Sequence, residues 1–484
     1  MMIKVVIIGA GATGMGVASK LLRSGKNSNK EFDIHVYQDQ NYISLGSCSI
    51  PYFIANEFKD AKLLNARVKN DYLYKTNGKN KIKIHLTQRV VKVDSLKQEV
   101  HVSNVKNLNN KVKPKVVHYQ ALVIATGALP KIPPPFSHGA LPHNVYNVFT
   151  KQDAINLKAA LKTAKKVTIV GGGFIGLEMA ETCLKQNKDV TIIEMKDCLM
   201  ADVVDKEFSQ LILDELTGKS KIVNPKKTIN HARVILNSQI EELMMTHNNI
   251  KDLRLRNLED EQKGTTVPCD IVILAVGFAP NTQFLHDSNI LLNKNKSIVI
   301  NEYCQVPSQQ NITKKISNIY SGGDCAQVFS QFDKTPQYIP LATNANKMAR
   351  IIAENIQNPI HKYSGTLGSS IVRIGNLEIA KTGSFGTINK NDIGSVYIED
   401  YDLPKYLPQS RNLYLKLFYH KTTFQLLTAH MAGYNHATLR INALATAIWN
   451  KMDVRDLQNL DLVYSPPFSR TTDIIHLASR KVKS

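Results

Sequence analysis

Two stretches of the chain share one order of apolar, small and polar positions. An almost unbroken apolar run at 3–8 leads into a glycine-rich turn at 9–14, a helical segment through Leu22 and a second apolar run at 33–37. The same order returns at 167–194, where the glycine-rich turn spans 171–176. An apolar run, a tight turn and a helix in sequence predict a strand–turn–helix–strand unit. The chain therefore contains two βαβ units.

The glycines of each unit have the spacing of a dinucleotide-binding turn. The first glycine makes the turn, the second lets the backbone approach a pyrophosphate, and the third lets the helix pack against the strand. One such fingerprint is weak evidence, but two complete units are poorly explained by chance. The predicted cofactor-binding residues of the two turns are Gly9, Gly11 and Gly14, and then Gly171, Gly173, Ile175, Gly176 and Glu178.

Glu194 ends the second strand of the second unit, 18 residues after Gly176. A carboxylate at this position can bind the ribose 2′-hydroxyl and repels a 2′-phosphate. The second unit is therefore expected to prefer NADH over NADPH.

Two further kinds of segment complete the nucleotide pattern. Apolar strands at 121–124 and 269–274 each end in a tight turn and fit crossovers between two nucleotide domains. Asp324 is predicted at a strand-to-helix turn, where it could bind a ribityl chain while the helix N-terminus faces phosphate. A plain helix N-cap is the alternative for Asp324. The additional candidates for cofactor binding are Ala125, Thr126, Gly127, Gly277, Gly323 and Ala342.

The pattern changes from about residue 362. Strand-like runs at 370–374 and 412–418, and a predicted helix at 435–450, indicate an α+β domain without a nucleotide motif. The fold class is thus α/β, with two Rossmann-like dinucleotide-binding domains followed by a C-terminal α+β domain. The predicted boundaries are 1–150 and 281–358 for a discontinuous first domain, 151–280 for the second, and 359–484 for the third.

Composition narrows the function classes. A chain of 484 residues is too long for one core, and its formal net charge of +21 invites a nucleic-acid interpretation. The lysines are dispersed, however, and no arginine-rich arm or zinc finger is present, so no nucleic-acid partner is expected. No segment has the roughly 18 apolar residues of a membrane helix. Six scattered cysteines predict a reducing, cytoplasmic location and no metal site. Part of the positive charge suits a substrate with several phosphates.

Cys48 is the candidate redox residue. An enzyme with its own disulfide would need a second cysteine two or five residues along, where this chain has Ile50 and Phe53, and the next cysteine is Cys183. A lone redox sulfur must pair with a small thiol or carry one oxygen atom as a sulfenic acid. A buried structural cysteine is the alternative, and the surrounding nucleotide motifs disfavour it.

These features resemble the single-cysteine flavoprotein disulfide reductases over nearly the full chain. The resemblance is nearest to coenzyme A disulfide reductases, with NADH oxidases and NADH peroxidases as siblings. Ser44, Cys48 and the pair Pro51 and Tyr52 carry it, together with the segments 365–368 and 464–469. The peroxidase histidine is missing from the first glycine turn.

The resemblance implies bound FAD, NADH as donor, and coenzyme A as substrate or mixed disulfide. It also implies a homodimer formed by the C-terminal domain, in which Tyr464 of the partner subunit, and secondarily Tyr406, donates a proton near the Cys48 nucleophile. Ser47 beside the nucleophile joins the cofactor set. The implied substrate contacts are Lys20, Arg23, Ser44, Lys75, Asn346 and Arg470. An NADH oxidase that reduces oxygen to water, and a flavin-dependent redox sensor without turnover, are the alternatives.

Three positions depart from the family pattern. Where relatives have an acid at the end of the second strand of the FAD unit, this chain has Gln38, which can still hydrogen-bond the ribose hydroxyls but brings no charge; Asp39 is the substitute candidate for cofactor binding. The glycine after the cysteine is Ser49, which would crowd the substrate sulfur. The family's Tyr-Tyr-Pro-Gly segment begins here at Tyr406 and lacks one of its two tyrosines.

Overall fold

The computed structural model of the protein describes residues 2–24, 30–73, 80–108, 112–219, 231–260, 264–308 and 315–483. Within these ranges the three largest sheets are two mainly parallel sheets, each of which carries a glycine-rich turn, and one antiparallel sheet near the C-terminus. No helix in the described ranges has the length and apolarity needed to cross a lipid bilayer.

The first sheet combines early and late parts of the chain. Its strand order is β18 (Gln305–Pro307), β19 (Lys315–Ser321), β7 (Ala121–Ile124), β1 (Met2–Ile8), β2 (Glu31–Tyr37) and β3 (Lys81–His85). Strand β1 pairs in parallel with both β2 and β7, which places the end of β1, and the glycine turn that follows it, in the middle of the sheet edge. The elements that build this unit are β1 (Met2–Ile8), α1 (Ala12–Arg23), β2 (Glu31–Tyr37), α2 (Ile50–Ile54), α3 (Asn70–Leu73), β3 (Lys81–His85), β4 (Gln88–Asp94), β5 (Glu99–Asn104), β6 (Lys115–His118), β7 (Ala121–Ile124) and β8 (Ala128–Pro130).

The second sheet is parallel throughout, in the order β12–β11–β10–β16–β9. It repeats the first arrangement, because β10 lies between its two neighbours and ends in the second glycine turn. A capping box at Thr150 and Asp153 starts its first helix. This second dinucleotide unit contains β9 (Val145–Asn147), α4 (Lys151–Ala160), β10 (Lys166–Val170), α5 (Phe174–Lys185), β11 (Asp189–Ile193), α6 (Lys206–Thr217), β12 (Arg233–Ile235), β13 (Ser238–Thr246), β14 (Asn249–Asn257), β15 (Thr265–Pro268) and β16 (Ile271–Leu274).

The chain returns to the first sheet and then enters the C-terminal sheet. Strand β8 pairs with β17 at the two connections between the parallel sheets, and the antiparallel C-terminal sheet has the order β22–β23–β26–β25–β24. The remaining elements are β17 (Phe278–Pro280), β18 (Gln305–Pro307), β19 (Lys315–Ser321), β20 (Val328–Phe329), β21 (Pro336–Gln337), α7 (Ala342–Gln357), β22 (Ser370–Ile374), β23 (Leu377–Gly383), β24 (Ile393–Tyr401), β25 (Asn412–His420), β26 (Leu426–Gly433), α8 (Ile441–Trp449) and α9 (Ile474–Arg480).

The fold class is confirmed, whereas the exact domain boundaries stay predictions. One local expectation is wrong: the strand that precedes Asp324 does not lead into a helix. Residues 324–325 form a turn, and the next helix is α7, which begins at Ala342. The Gly-Asp segment is therefore a turn at the edge of the first sheet that carries the glycine turn. The helix N-terminus that was predicted to follow it directly is that of α7, later in the chain.

Candidate active site

The first glycine turn has the geometry of a pyrophosphate cradle. Gly9 has a φ of +99°, and a Cβ there would lie 2.2 Å from the Ala125 carbonyl oxygen. A Cβ at Gly14 would lie 1.9 Å from the Gly9 carbonyl oxygen, which explains the close packing of α1 on β1. At Gly11 no atom would lie within 4 Å of a Cβ, so the middle of the turn is open to a ligand. Both the tight and the open positions fit a bound dinucleotide.

The second turn repeats this geometry. Gly171 has a φ of +108°, and a Cβ there would lie 2.5 Å from the Ala275 carbonyl oxygen. A Cβ at Gly176 would lie 1.9 Å from the Gly171 carbonyl oxygen, while the space at Gly173 is open. Ile175 and Glu178 follow on the first turns of α5. The residues of the second unit therefore also fit a dinucleotide.

Glu194 and Gln38 occupy equivalent positions in the two units. One carboxylate oxygen of Glu194 accepts from the Gly172 N–H at 2.6 Å, and the Gln38 carbonyl oxygen accepts from the Ala10 N–H at 3.0 Å. Each side chain thus ties the end of the second strand to the glycine turn of its unit. Gln38 performs this structural role without a charge. Asp39 is ion-paired with Arg89 at 3.0 Å, so its carboxylate already has a cationic partner.

The two crossover segments are hydrogen-bonded to each other. The Thr126 hydroxyl donates to the Asn281 carbonyl at 2.7 Å, and the Asn281 N–H donates to the Gly127 carbonyl at 2.9 Å. Gly127 and Gly277 both have positive φ values, +68° and +92°, which suit glycine. Ala125 is buried between Gly9 and this junction. The junction therefore holds both glycine turns in a fixed relation.

Asp324 presents a partly buried carboxylate beside the first glycine turn. Among the described residues its carboxylate has no hydrogen-bond or ion-pair partner, and burial raises its pKa. Gly323 packs so closely on Thr13 that a Cβ would lie 2.5 Å from the Thr13 hydroxyl. A carboxylate that is free to accept at this place would accept hydrogen bonds from the hydroxyls of a ribityl chain. Asp324 therefore fits the predicted role, although the helix expected after it is absent there; Ala342 is exposed at the start of α7.

Cys48 is an exposed cysteine in a short 3₁₀ turn, Ser47–Ser49, that leads directly into α2. Ser44 has a φ of +51°, and its N–H donates to the Ala10 carbonyl at 2.8 Å. This bond attaches the cysteine segment to the first glycine turn. The Ser49 hydroxyl donates to the Gly46 carbonyl at 2.6 Å, which orients it toward its own turn.

The electrostatic surroundings of Cys48 disfavour its thiolate form. Partial burial raises the pKa of its thiol, and the carboxylates of Glu178 and Asp324 raise it further, while hydrogen bonds from its own N–H and from Ser47 lower it. The causes that raise the pKa are the larger ones. Burial, and then Glu181, raises the pKa of Glu178 to about 7. Cys48 therefore lies within electrostatic reach of one carboxyl group from each dinucleotide unit.

The predicted substrate contacts lie in different surroundings. Ser44 and Arg23 both interact with Tyr72: Ser44 by a hydrogen bond, and Arg23 together with Arg67 by charge. The sequence interpretation missed Arg67 and Tyr72. Both residues follow α2 in the chain, and only the folding of this part of the chain back onto the cysteine segment brings them beside Ser44. Lys20 is ion-paired with Glu354 at 3.4 Å, Asn346 is exposed on α7, and Lys75 lies outside the described residues.

The C-terminal candidates are on the surface. Tyr464 and Tyr406 are exposed, and no hydrogen bond or ion pair in the described parts of one chain joins either tyrosine to Cys48. Arg470 is ion-paired with Asp400. The segment around Tyr464 also exposes the large apolar side chains of Val463 and Phe468.

Two dinucleotide turns with an exposed cysteine between them define a redox enzyme that works with a flavin and a pyridine nucleotide. The chain belongs to the pyridine nucleotide-disulphide oxidoreductase family, because the model of that family matches residues 3–349. Residues 376–474 match the dimerisation domain of the same family. The family uses FAD and NAD(P)H, and the residues described above fit both.

Three similar proteins cover almost the whole chain. An NADH oxidase of Enterococcus faecalis is 27% identical over 99% of this chain and 98% of that protein. A coenzyme A disulfide reductase of Staphylococcus epidermidis is 27% identical over 99% of this chain and 100% of that protein. The crystal structure of the reduced Bacillus anthracis protein CoADR-RHD has a TM-score of 0.86 at 25% identity, and covers 99% of this chain and 80% of that one.

Replacing Glu194 with alanine is expected to erode the preference for NADH. The wild-type carboxylate repels a 2′-phosphate, so its removal should raise kcat/KM for NADPH while lowering that for NADH. Steady-state kinetics with both nucleotides measure the ratio, and Glu242→Ala, on strand β13, is the charge-matched control. Equal kcat/KM values for the two nucleotides in the wild type would contradict the assignment.

Proposed function

We propose that the protein is an FAD-dependent, NADH-preferring coenzyme A disulfide reductase with Cys48 as its redox sulfur. The observation that carries this proposal is the environment of Cys48. The sulfur is exposed and has no second cysteine nearby in the sequence, and two arginines, Arg67 and Arg23, act by charge on Tyr72, which is hydrogen-bonded to the adjoining Ser44. An isolated sulfur needs an external thiol partner, and the basic surface favours one that carries phosphates.

The two glycine turns would hold the two dinucleotides, with Asp324 accepting from the ribityl hydroxyls and Glu194 from the NADH ribose. Bound FAD would supply the chemistry that links hydride donation by NADH to the transfer of two electrons to the Cys48 sulfur. The chain's own residues orient the reacting groups: Ser47 and the Cys48 N–H donate to the sulfur, and the Ser44 N–H fixes the segment to the first turn. With coenzyme A disulfide, the Cys48 thiolate attacks one sulfur atom and the S–S bond breaks. One coenzyme A leaves as a thiolate and takes a proton.

The mixed disulfide then accepts the two electrons that come from NADH, which returns the Cys48 thiolate and releases the second coenzyme A. The sum is NADH, one proton and coenzyme A disulfide giving NAD⁺ and two thiols. Unpaired cysteines suit a reducing compartment, and we infer a cytoplasmic location from them.

A homodimer would complete the site, with Tyr464 of one subunit donating a proton near Cys48 of the other. The Cys48→Ser and Tyr464→Phe variants should each be strongly impaired, the tyrosine variant by about 10²-fold as for loss of a general acid. Co-expressed, the two variants should regain activity, because a mixed dimer has one site with both groups intact. Tyr397→Phe, at an exposed tyrosine of β24, serves as the matched control, and light scattering reports the oligomer. An active monomer would contradict this arrangement.

The NADH oxidase alternative is favoured by the Enterococcus faecalis relative, which is as similar as the reductase. The two functions differ in what consumes NADH. Anaerobic NADH oxidation should depend on added coenzyme A disulfide, with oxygen alone supporting slow turnover. If oxygen alone gives full turnover and coenzyme A disulfide adds nothing, the oxidase function replaces the reductase function.

A further inference from the structure

Helix α2, which follows Cys48, packs into the core of the second dinucleotide unit. Its sequence lies between two strands of the first sheet, yet Ile50, Phe53 and Ile54 are buried with Leu157 of α4 and Ala180 of α5. The apolar core of the first unit is built from other residues. The orientation of the cysteine segment is therefore set by contacts with the unit that would bind NADH.

Side chains of the second unit also bind the carbonyl groups of α2. Lys158 donates to the Phe53 carbonyl at 2.5 Å, and its ammonium lies 3.8 Å from the centre of the Phe53 ring. Gln186 donates to the Ile54 carbonyl at 2.9 Å, and Thr182 donates more weakly to the Pro51 carbonyl at 3.4 Å. The Pro51 and Phe53 carbonyls also accept from the backbone N–H groups of Ala55 and Asn56, at 2.8 and 3.2 Å, so Thr182 and Lys158 are second donors to them. Gln186 supplies a donor to the Ile54 carbonyl, one of the last carbonyls that a short helix leaves open.

The same face of α5 carries Glu178. Positions 178, 182 and 186 are four residues apart and project on one side of the helix, or just past its end. Glu178 acts on Cys48 by charge at one end of this row, and Gln186 holds Ile54 at the other. Together, α4 and α5 contact the cysteine segment along the whole of α2.

We propose that Lys158, Thr182 and Gln186 are positioning residues that hold the Cys48 turn through the carbonyl groups of α2. Lys158 makes the largest contribution, because it is the charged donor of the three and also packs on the Phe53 ring. Loss of the contact would loosen the 3₁₀ turn and weaken the hydrogen bonds that favour the Cys48 thiolate. The inference rests on the proposed function in taking Cys48 as the redox sulfur.

Lys158→Met tests this proposal because methionine keeps the packing of the stem and removes the donor. Lys162→Met is the matched control: Lys162 is exposed one turn further along and lowers the pKa of Lys158 by charge. Lys158→Arg, which keeps a donor, should restore the wild-type behaviour. The pH dependence of Cys48 alkylation by iodoacetamide, followed by peptide mass spectrometry, needs neither substrate nor bound flavin.

At pH 7 the alkylation of Cys48 is expected to be about fivefold slower in Lys158→Met, with its midpoint moved to higher pH, as for the loss of one hydrogen bond. In the flavin-loaded protein, a Cys48 thiolate beside bound FAD would give a long-wavelength absorbance; this absorbance should weaken in Lys158→Met, while anaerobic flavin reduction by NADH stays unchanged. Lys162→Met should match the wild type in all three measurements.

An alkylation midpoint and a long-wavelength absorbance in Lys158→Met equal to those of Lys162→Met would overturn the proposal. If Lys158→Met does not fold, Gln186→Leu removes the Ile54 contact and is read in the same way. Failure of the proposed function is a separate result: full disulfide reductase activity in Cys48→Ser would remove the redox role of Cys48, whereas the alkylation measurement concerns the turn alone.

Discussion

Replacing Cys48 with serine is expected to lower the rate of coenzyme A disulfide reduction by about 10⁴-fold, the cost of removing a catalytic nucleophile. Serine keeps the size of the side chain but cannot form a mixed disulfide. Reduction of the bound flavin by NADH should proceed at nearly the wild-type rate, because hydride transfer needs no sulfur. Stopped-flow absorbance under anaerobic conditions separates the two half-reactions.

Cys198→Ser is the control for this experiment. Cys198 is the other cysteine with exposed surface, while the remaining four are buried. Its replacement should leave both half-reactions intact. Denaturing mass spectrometry of the wild type should also find a coenzyme A adduct on Cys48 that a reductant removes. Full turnover with oxygen and no adduct would instead support the oxidase alternative.

Replacing both Arg23 and Arg67 with alanine is expected to raise KM for coenzyme A disulfide at least about tenfold, the usual effect of losing a charge-assisted hydrogen bond to phosphate. The two arginines act on Tyr72, which is hydrogen-bonded to Ser44 four residues before the redox cysteine. We propose that these charges bind the pyrophosphate and 3′-phosphate of the substrate. Steady-state kinetics at low ionic strength measure the effect.

Two controls make the arginine result specific. Pantethine, the disulfide of pantetheine, lacks the phosphates, so its KM should not change in the double variant. Lys59→Ala with Lys92→Ala removes the same charge from exposed positions elsewhere and should leave KM for coenzyme A disulfide near the wild-type value. An equal rise in KM for both disulfides would show that the arginines support the fold and do not bind phosphate.

The parts of the molecule that were predictable from sequence are those that depend on local backbone requirements. Gly9 and Gly171 need positive φ values beside a crossing carbonyl, and Gly14 and Gly176 leave no room for a Cβ. Such requirements leave a fixed spacing of glycines among apolar runs. For the same reason the two βαβ units and the change to an antiparallel C-terminal sheet could be inferred, and the lone cysteine was evident from its neighbours.

Contacts between distant segments were decided by the tertiary structure alone. Spacing along the chain did not show that Lys20, Asp39 and Arg470 would have acidic or basic partners in ion pairs. Neither did it show that Arg67 lies with Arg23. The helix predicted after Asp324 was wrong because a strand ending in a Gly-Asp turn has the same local signal whether a helix or a further turn follows it.

The same division holds at the redox centre. Sequence alone determined that Cys48 stands without a second cysteine and follows a dinucleotide turn, since both facts concern neighbouring residues. Only the tertiary structure decided that α2 is held by Lys158 and Gln186 of the other unit, and that Glu178 and Asp324 both act on the sulfur. Burial and charge at one atom depend on every segment that packs around it, and those segments are more than a hundred residues apart in the chain.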